Sequence, residues 1–199
     1  MRNIQSIRCA PFSECPAADT SEAGHQVDVL VNNAGMGLMC ATEEINMQED
    51  EKMLRLNMVA VVDLCKLLLP AMYQRGRGKI LNVASVAAYQ PGPYNSTYFA
   101  SKSFVLSYSR AIRYEAKKHG VQVCTLCPGS TNTPFFEKEG LETPPLVTSP
   151  EVVAEYAIQG LMRDKAIIVP GLMNKVSRIL PSAWKIALVA KMKDLGKPQ

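Results

Sequence analysis

The chain has 199 residues, of which 47% are apolar and 20% charged, and a net charge of +4. That length suits one domain, and the balance excludes a disordered chain, a collagen-like fibre and a disulfide-stapled miniprotein. No run approaches 18 uninterrupted apolar residues, so no transmembrane helix is expected; residues 59–72 come nearest, broken by Asp63 and Lys66.

The first residues, MRNIQSIRCAPFSECP, lack the apolar core of a signal peptide, which makes a cytoplasmic location the expectation. Seven of the basic residues and one acid, Asp194, fall within residues 165–199, giving that segment +6 and the remainder −2. A mildly acidic body with a basic tail argues against a nucleic-acid reader, which carries its charge on the folded domain.

Residues 1–26 have no clear period and form a poorly specified leader. Residues 27–31 (VDVLV) read as a short strand ending in Asn32-Asn33-Ala34-Gly35. Residues ~43–74 carry apolar positions at helical spacing, including Met53, Leu54, Leu56, Val59, Val62, Leu64, Leu67 and Leu68, and Gly76 and Gly78 stop that helix. Residues 79–84 (KILNVA) form a second strand. A loop with Pro91, Gly92 and Pro93 leads to a long helix over ~95–118, closed by His119 and Gly120. Residues 121–126 are a third strand.

Pro128, Gly129, Pro134, Gly140, Pro144 and Pro145 mark residues 128–149 as a loop. Ser149 then caps a helix that opens on Pro150, and residues 165–169 (KAIIV) form a fourth strand. Apolar strands alternating with helices predict an α/β fold with a parallel sheet covered on both faces.

Six cysteines occur, at 9, 15, 40, 65, 124 and 127. Cys124 and Cys127 make a C-x-x-C, but positions three apart on a strand face opposite ways. They read as core residues rather than a redox or zinc pair. His25 and His119 have no partner at a telling spacing, and no metal cluster is visible.

The chemistry concentrates in Asn57, Ser85, Tyr98 and Lys102. Tyr98 and Lys102 are four apart on a predicted helix and share a face. Ser85 lies just past a strand's C-terminal end, the edge where open α/β sheets bind ligands. A free tyrosine is a poor acid–base group at neutral pH; an ammonium one helical turn away favours its phenolate. With the Ser85 hydroxyl holding a carbonyl oxygen, this suits interconversion of a carbonyl and an alcohol, a cofactor carrying the hydride.

Asn32-Asn33-Ala34-Gly35 after one strand, Ser85 after the next, Tyr98 thirteen residues later, Lys102 four beyond, and Cys127-Pro128-Gly129 after the third strand make a combined pattern. On it, residues ~27–170 resemble the short-chain dehydrogenase/reductase family, in particular its DltE-type and ketoacyl-reducing members. The resemblance implies a Rossmann-like doubly wound parallel sheet and NAD(P)(H) as cofactor. It implies that Tyr98 exchanges the proton, that Lys102 assists it and bonds the nicotinamide ribose, that Ser85 orients the carbonyl and that Asn57 holds a relay water. Asn33, Ala34 and Gly35 would line the adenine-side ribose, Pro128 and Gly129 would flank the nicotinamide, and Thr131 and Thr133 would contact the carboxamide or phosphates. The loop with Phe135 and Phe136 would cover a small-molecule carbonyl or alcohol substrate. The helices ~43–74 and ~95–118 resemble the family's dimer helices, so a homodimer or homotetramer is expected. Three plainer readings stay open: Asn32 to Gly35 as a strand-ending turn, the two threonines as loop hydroxyls, and Phe135 and Phe136 as loop anchors.

The sequence departs from the family at its start. Only Gly24 among the first 26 residues is glycine, so no G-x-x-x-G-x-G turn precedes the strand at 27–31. About 60 residues of two strand–helix units are missing on this reading. The sheet is then incomplete, with an open apolar edge at its first strand. An oxidoreductase inactive as this chain alone is the leading reading; the alternative is a non-catalytic interaction or regulatory module that has lost the cofactor. The tail, 171–199, sets Leu172, Val176, Ile179, Leu180, Trp184, Leu188 and Met192 against a basic face. It suits packing near the active-site loop, with weak membrane-surface contact as the other outcome.

Overall fold

The computed structural model describes residues 26–135 and 147–177. The leader with Gly24, Cys9 and Cys15, Phe136 with the loop beyond it, and the tail from residue 178 with Trp184 lie outside the described residues.

Four strands make one wholly parallel sheet in the order β1-β2-β3-β4. Strand β1 is Val29–Asn32, β2 Gly78–Val83, β3 Val121–Leu126 and β4 Ile167–Ile168. The register pairs Leu30 with Ile80, Ile80 with Val123 and Leu126 with Ile168. The β4 ladder is short but is extended by Thr125 N donating to Ala166 O and Cys127 N to Ile168 O. The fourth strand therefore sits inside the predicted 165–169, which its edge position shortens.

Between β1 and β2 runs a continuous helical rod: α1 (Met47–Leu54), a π turn (Arg55–Val59) and α2 (Ala60–Arg75). It starts later than residue 43 because Asn46 caps it, its side chain accepting from Gln48 N at 2.8 Å. Gly76, at φ 65°, ends it in the left-handed conformation that glycine tolerates best. The rod is long and apolar enough to cross a membrane by length and composition, which corrects the expectation drawn from Asp63 and Lys66. In this fold it packs on the sheet through Val61, Cys65, Leu68, Leu69 and Met72.

Helix α3 (Ser96–Lys117) lies beside α2 on the same face, over Ile80, Val121 and Val123. His119, just past its end, stacks on Tyr73 of α2 at 4.1 Å between ring centroids. Helix α4 (Pro150–Met162) covers the other face through Ala157 and Leu161 against Leu81, Cys124, Leu126 and Ile168. Its cap is the predicted one: Ser149 Oγ accepts from Val152 N. A short helix, α5 (Leu172–Ser177), follows β4.

Cys124 and Cys127 point into opposite layers, as the strand period requires. Strand β1 is an edge of the sheet among the described residues. Leu30 is buried against α2, while Val29 and Val31 on the α4 side are 46% and 51% exposed.

A polar chain crosses the α2–α3 side of the core. Asn32 Nδ2 donates to Asn82 Oδ1 at 2.8 Å, and Asn82 Nδ2 donates to Ser109 Oγ at 2.8 Å. Cys65 lies against both amides, and its burial pushes the thiol up to about 11. Asn82→Leu would leave the buried Asn32 amide and Ser109 hydroxyl without their partner. The expected cost is about 2–6 kcal/mol, at about 1–3 for each orphaned group; an unfolding free energy from urea within about 0.3 kcal/mol of wild type, by the ~10% precision of such extrapolations, would contradict it.

Candidate active site

The C-terminal ends of β1, β2 and β3 meet at one edge of the sheet, and the chemistry-bearing side chains gather there. Ala84 N donates to Leu126 O at 2.8 Å and Val86 N to Pro128 O at 2.9 Å, so the chain leaving β2 is tied to the chain leaving β3. Ser85 lies between these two bonds. Its backbone is extended and it caps a 3₁₀ turn, Val86–Tyr89, its Oγ accepting from Ala87 N at 3.1 Å. A hydroxyl that accepts this way keeps its own proton to donate.

Tyr98 and Lys102 project from the first two turns of α3. Lys102 is 5% exposed; its Nζ donates to Val83 O at 3.2 Å and lies 5.7 Å from the centre of the Tyr98 ring. Burial strips water from the ammonium and lowers Lys102 to about 8, a fall that the neighbouring Cys127 opposes. Nothing in the helix period required a lysine to be buried here. It is buried because β2, the loop after β1 and α3 close around it.

Asn57 occupies the middle of the π turn and is 1% exposed. Such turns carry one extra residue in the helical ladder and recur at functional sites. Its Oδ1 accepts from Met36 N at 3.0 Å, and its Nδ2 donates to Met36 O at 2.8 Å and Ser101 Oγ at 3.0 Å. Ser101 Oγ in turn donates to Tyr98 O at 2.7 Å. Both Nδ2 protons are thus committed inside the protein, leaving only Oδ1 lone-pair capacity for a water. Asn57 locks the loop after β1 to the helix bearing Tyr98. Ser101, which the sequence did not single out, completes that lock.

Gly35 is where the loop after β1 passes these groups. A methyl there would come 3.1 Å from Lys102 Nζ and 3.3 Å from Asn57 Oδ1. Asn33 and Ala34 are exposed at the strand end beside it. Farther along, Cys40 N donates to Tyr94 O at 3.0 Å and Thr42 and Ser96 exchange a hydroxyl bond at 3.1 Å, so the loop crosses the N-terminus of α3.

On the β3 side, Pro128 and Gly129 sit opposite Ser85. Thr131 Oγ1 donates to Gly129 O and Thr133 Oγ1 donates to Thr131 O, so both hydroxyls bond the loop's own backbone. Thr131 pairs with Thr148 in a parallel bridge, and Asn132 N and Thr148 N close it with bonds of 2.9 Å. Both ends of the loop beyond are pinned there. Phe135 reaches Tyr98, its ring 5.8 Å away, and Phe99 meets the same ring edge-on at 5.9 Å.

The predicted residues therefore divide. Asn57, Tyr98, Lys102 and Gly35 form one cluster, connected through the unpredicted Ser101, and Ser85, Pro128 and Gly129 form the wall joined to it through Val83 and Val86. Thr131 and Thr133 secure the loop.

Known proteins resemble this chain in sequence and in fold. The sequence profile described as short chain dehydrogenase matches residues 17–143. A 3-ketodihydrosphingosine reductase of Bacteroides thetaiotaomicron is 39% identical over 121 residues, covering 61% of this chain and 45% of the relative. The human very-long-chain 3-oxoacyl-CoA reductase is 30% identical over 182 residues, covering 87% of this chain and 57% of the relative. The chain thus spans about half the length of these relatives. Among solved structures, a short-chain dehydrogenase from Sphingobium yanoikuyae in complex with NADPH superposes with a TM-score of 0.73 at 25% identity, over 93% of this chain and 72% of that one.

The buried ammonium gives the site a pH signature. Between pH 8 and 10.5 the unfolded chain keeps a proton on Lys102 that the folded chain has lost, so stability rises with pH. Cys65 acts in the opposite sense: its folded pKa, raised from 9.0 to about 11, makes stability fall through that interval. The Lys102 effect is therefore cleanest between pH 8 and 9. The urea midpoint should climb across that interval in wild type and stay level in Lys102→Met. A level wild-type profile would contradict the depressed lysine.

Proposed function

Because this chain belongs to the short-chain dehydrogenase family, we propose that it serves an NAD(P)-dependent oxidoreductase interconverting a ketone and a secondary alcohol on a long apolar chain. The observation that carries this reading is the buried Lys102 ammonium, 5.7 Å from the Tyr98 ring and joined through Val83 to the strand end that presents Ser85. The apolar substrate is supported by Phe99 and Phe135 around Tyr98 and by relatives named for 3-ketodihydrosphingosine and very-long-chain 3-oxoacyl-CoA.

The residues fit a nicotinamide cofactor. Gly35 leaves open a space that a methyl would fill beside Lys102 Nζ, and a buried ammonium with one protein acceptor has donors left for ribose hydroxyls. Lys102, Asn33, Ala34 and Gly35 would hold it from the β1 side, and Pro128 and Gly129 from the β3 side. When bound, NAD(P)H supplies the hydride. Among the described residues there is no Gly-rich strand–turn–helix to hold the diphosphate, so weak binding is expected.

The protein's own part is proton handling and orientation. The Ser85 O–H and the Tyr98 O–H both donate to the substrate oxygen, which holds the carbonyl carbon in one orientation. As negative charge develops on that oxygen, the Tyr98 proton passes to it; in the oxidative direction it returns to the phenolate. Lys102, positive at neutral pH, stabilises the phenolate left behind. Asn57 keeps Tyr98 and the Met36 loop in register while this occurs.

Two measurements test the proposal. Against the expectation that this chain alone is inactive, the assembled Ser85, Tyr98 and Lys102 predict weak turnover: with a 3-oxoacyl thioester and NADPH, wild type should form product with a rate still rising at about millimolar NADPH, an affinity near −4 kcal/mol. Tyr98→Phe should lower that rate by about 10²–10⁴-fold, the usual contribution of a general acid, with NADPH binding within about twofold. Retained turnover in Tyr98→Phe would remove the proton-transfer role. No turnover in wild type with no NADPH binding would favour the non-catalytic reading instead.

A second copy is proposed to pack on the outer faces of the helices between β1 and β3, where Val59, Leu67 and Tyr114 are exposed. Light scattering should then report a homodimer or homotetramer, and Tyr114→Glu should shift it toward monomer. A wild-type monomer at about tens of micromolar would count against this, since stable interfaces dissociate well below that.

A further inference from the structure

The chain turns sharply after β4. Gly171 has φ 82°, and one turn into α5 the Asn174 Nδ2 donates back to Pro170 O at 2.7 Å. The same amide fills the space beside Gly129 that a side chain there would take. A methyl on Gly129 would come 2.5 Å from Asn174 Nδ2, 2.6 Å from Oδ1 and 2.8 Å from Cγ. One side chain thus touches the turn that follows β4 and the loop that follows β3.

The strands alone do not hold these two segments together firmly. The β3–β4 ladder has only two paired positions, at the edge of the sheet. Pro128 and Gly129 are tied on their other side to Val86 and Thr131, next to Ser85. A shift of Gly129 therefore moves the segment bonded to Val86, next to Ser85.

We infer that Asn174 is a positioning residue of the site: its amide couples the turn after β4 to Gly129, and so sets where the Pro128–Gly129 wall stands. The inference rests on the oxidoreductase reading for its functional consequence, but the coupling itself does not. Glycine at 129 leaves the space the amide occupies, and the amide supplies the donor that Pro170 O requires. Aspartate at 174 keeps the shape and loses that donor, with a carboxylate oxygen facing a carbonyl.

Hydrogen exchange on the full chain decides the coupling. Asn174→Asp should speed amide exchange in peptides covering 127–133 and 166–177 by about fivefold, the worth of one neutral hydrogen bond, with 96–117 unchanged. Gly129→Ala should do the same in wild type but add little in an Asn174→Gly background, where the methyl has room. Faster exchange confined to 166–177, or additive effects of the two substitutions, would overturn the proposal by reducing Asn174 to a local helix contact. The functional readout is a split between constants: in Asn174→Asp the KM for NADPH should rise about fivefold with kcat within about twofold. Coupled exchange with an unchanged KM would overturn the positioning role. A wild type inert toward NADPH would count against the oxidoreductase reading alone, and exchange would still decide the coupling.

Discussion

Everything at the upper edge of the sheet is arranged around one charge kept out of water. The Lys102 ammonium is buried with Val83 O as a direct acceptor. Taking an ammonium from water is costly unless acceptors and opposite charge surround it. The surroundings meet that demand by close approach: Gly35 brings the β1 loop in without a side chain, and Asn57 draws the same loop onto α3. The depressed pKa is the residue of a cost that these contacts offset only in part. A site that holds a destabilised cation beside a phenol is poised to stabilise negative charge on that phenol.

A second polar layer lies below the first. Asn32, Asn82 and Ser109 form a closed chain of short hydrogen bonds inside an otherwise apolar core, with Cys65 packed against them. An apolar replacement of all three would pack as well. The polar chain instead selects a register, because sliding β1 by one residue against β2 would turn Asn32 to the other face and orphan Asn82. The same register places Gly35, Ser85 and Pro128 at a common level three or more residues farther on. Apolar burial gives the sheet its stability, and the amides give it the alignment that the site above requires.

The two loop systems that flank the site are held by different means. The loop after β1 is anchored by the buried Asn57 side chain, by the Tyr94 carbonyl just before α3 and by the Ser96 hydroxyl at its start. The loop after β3 relies on its own backbone, on the Thr131–Thr148 bridge and on the Asn174 amide. The first is locked to the core of the domain; the second is locked to a short edge strand and the turn beyond it. Any adjustment of the site therefore belongs to the β3 side, whose anchor is a short edge strand.

Much of this protein is legible in its sequence because the signals are local. Gly76 and the His119–Gly120 pair stop helices, Ser149 and Pro150 start one, and apolar runs mark the strands; each acts within a few residues, and the element types follow from them. The helical spacing of Tyr98 and Lys102 and the strand parity of Cys124 and Cys127 are equally local, and both hold in the structure. The motif order that resembles the short-chain dehydrogenases is a linear pattern, so it too could be read before any fold was known. The π turn around Asn57 is invisible to a 3.6-residue period, since one extra residue barely disturbs the apolar stripe. The charges on the rod from Met47 to Arg75 do not tell a core helix from a spanning one; only its packing on the sheet makes that distinction here. The burial of Lys102, the Asn32–Asn82–Ser109 chain, the commitment of both Asn57 amide protons and the Asn174–Gly129 contact join residues far apart in the chain. Their partners are chosen by which strand ends and loops the closed sheet brings within hydrogen-bond distance, and no short-range preference of the chain encodes that distance.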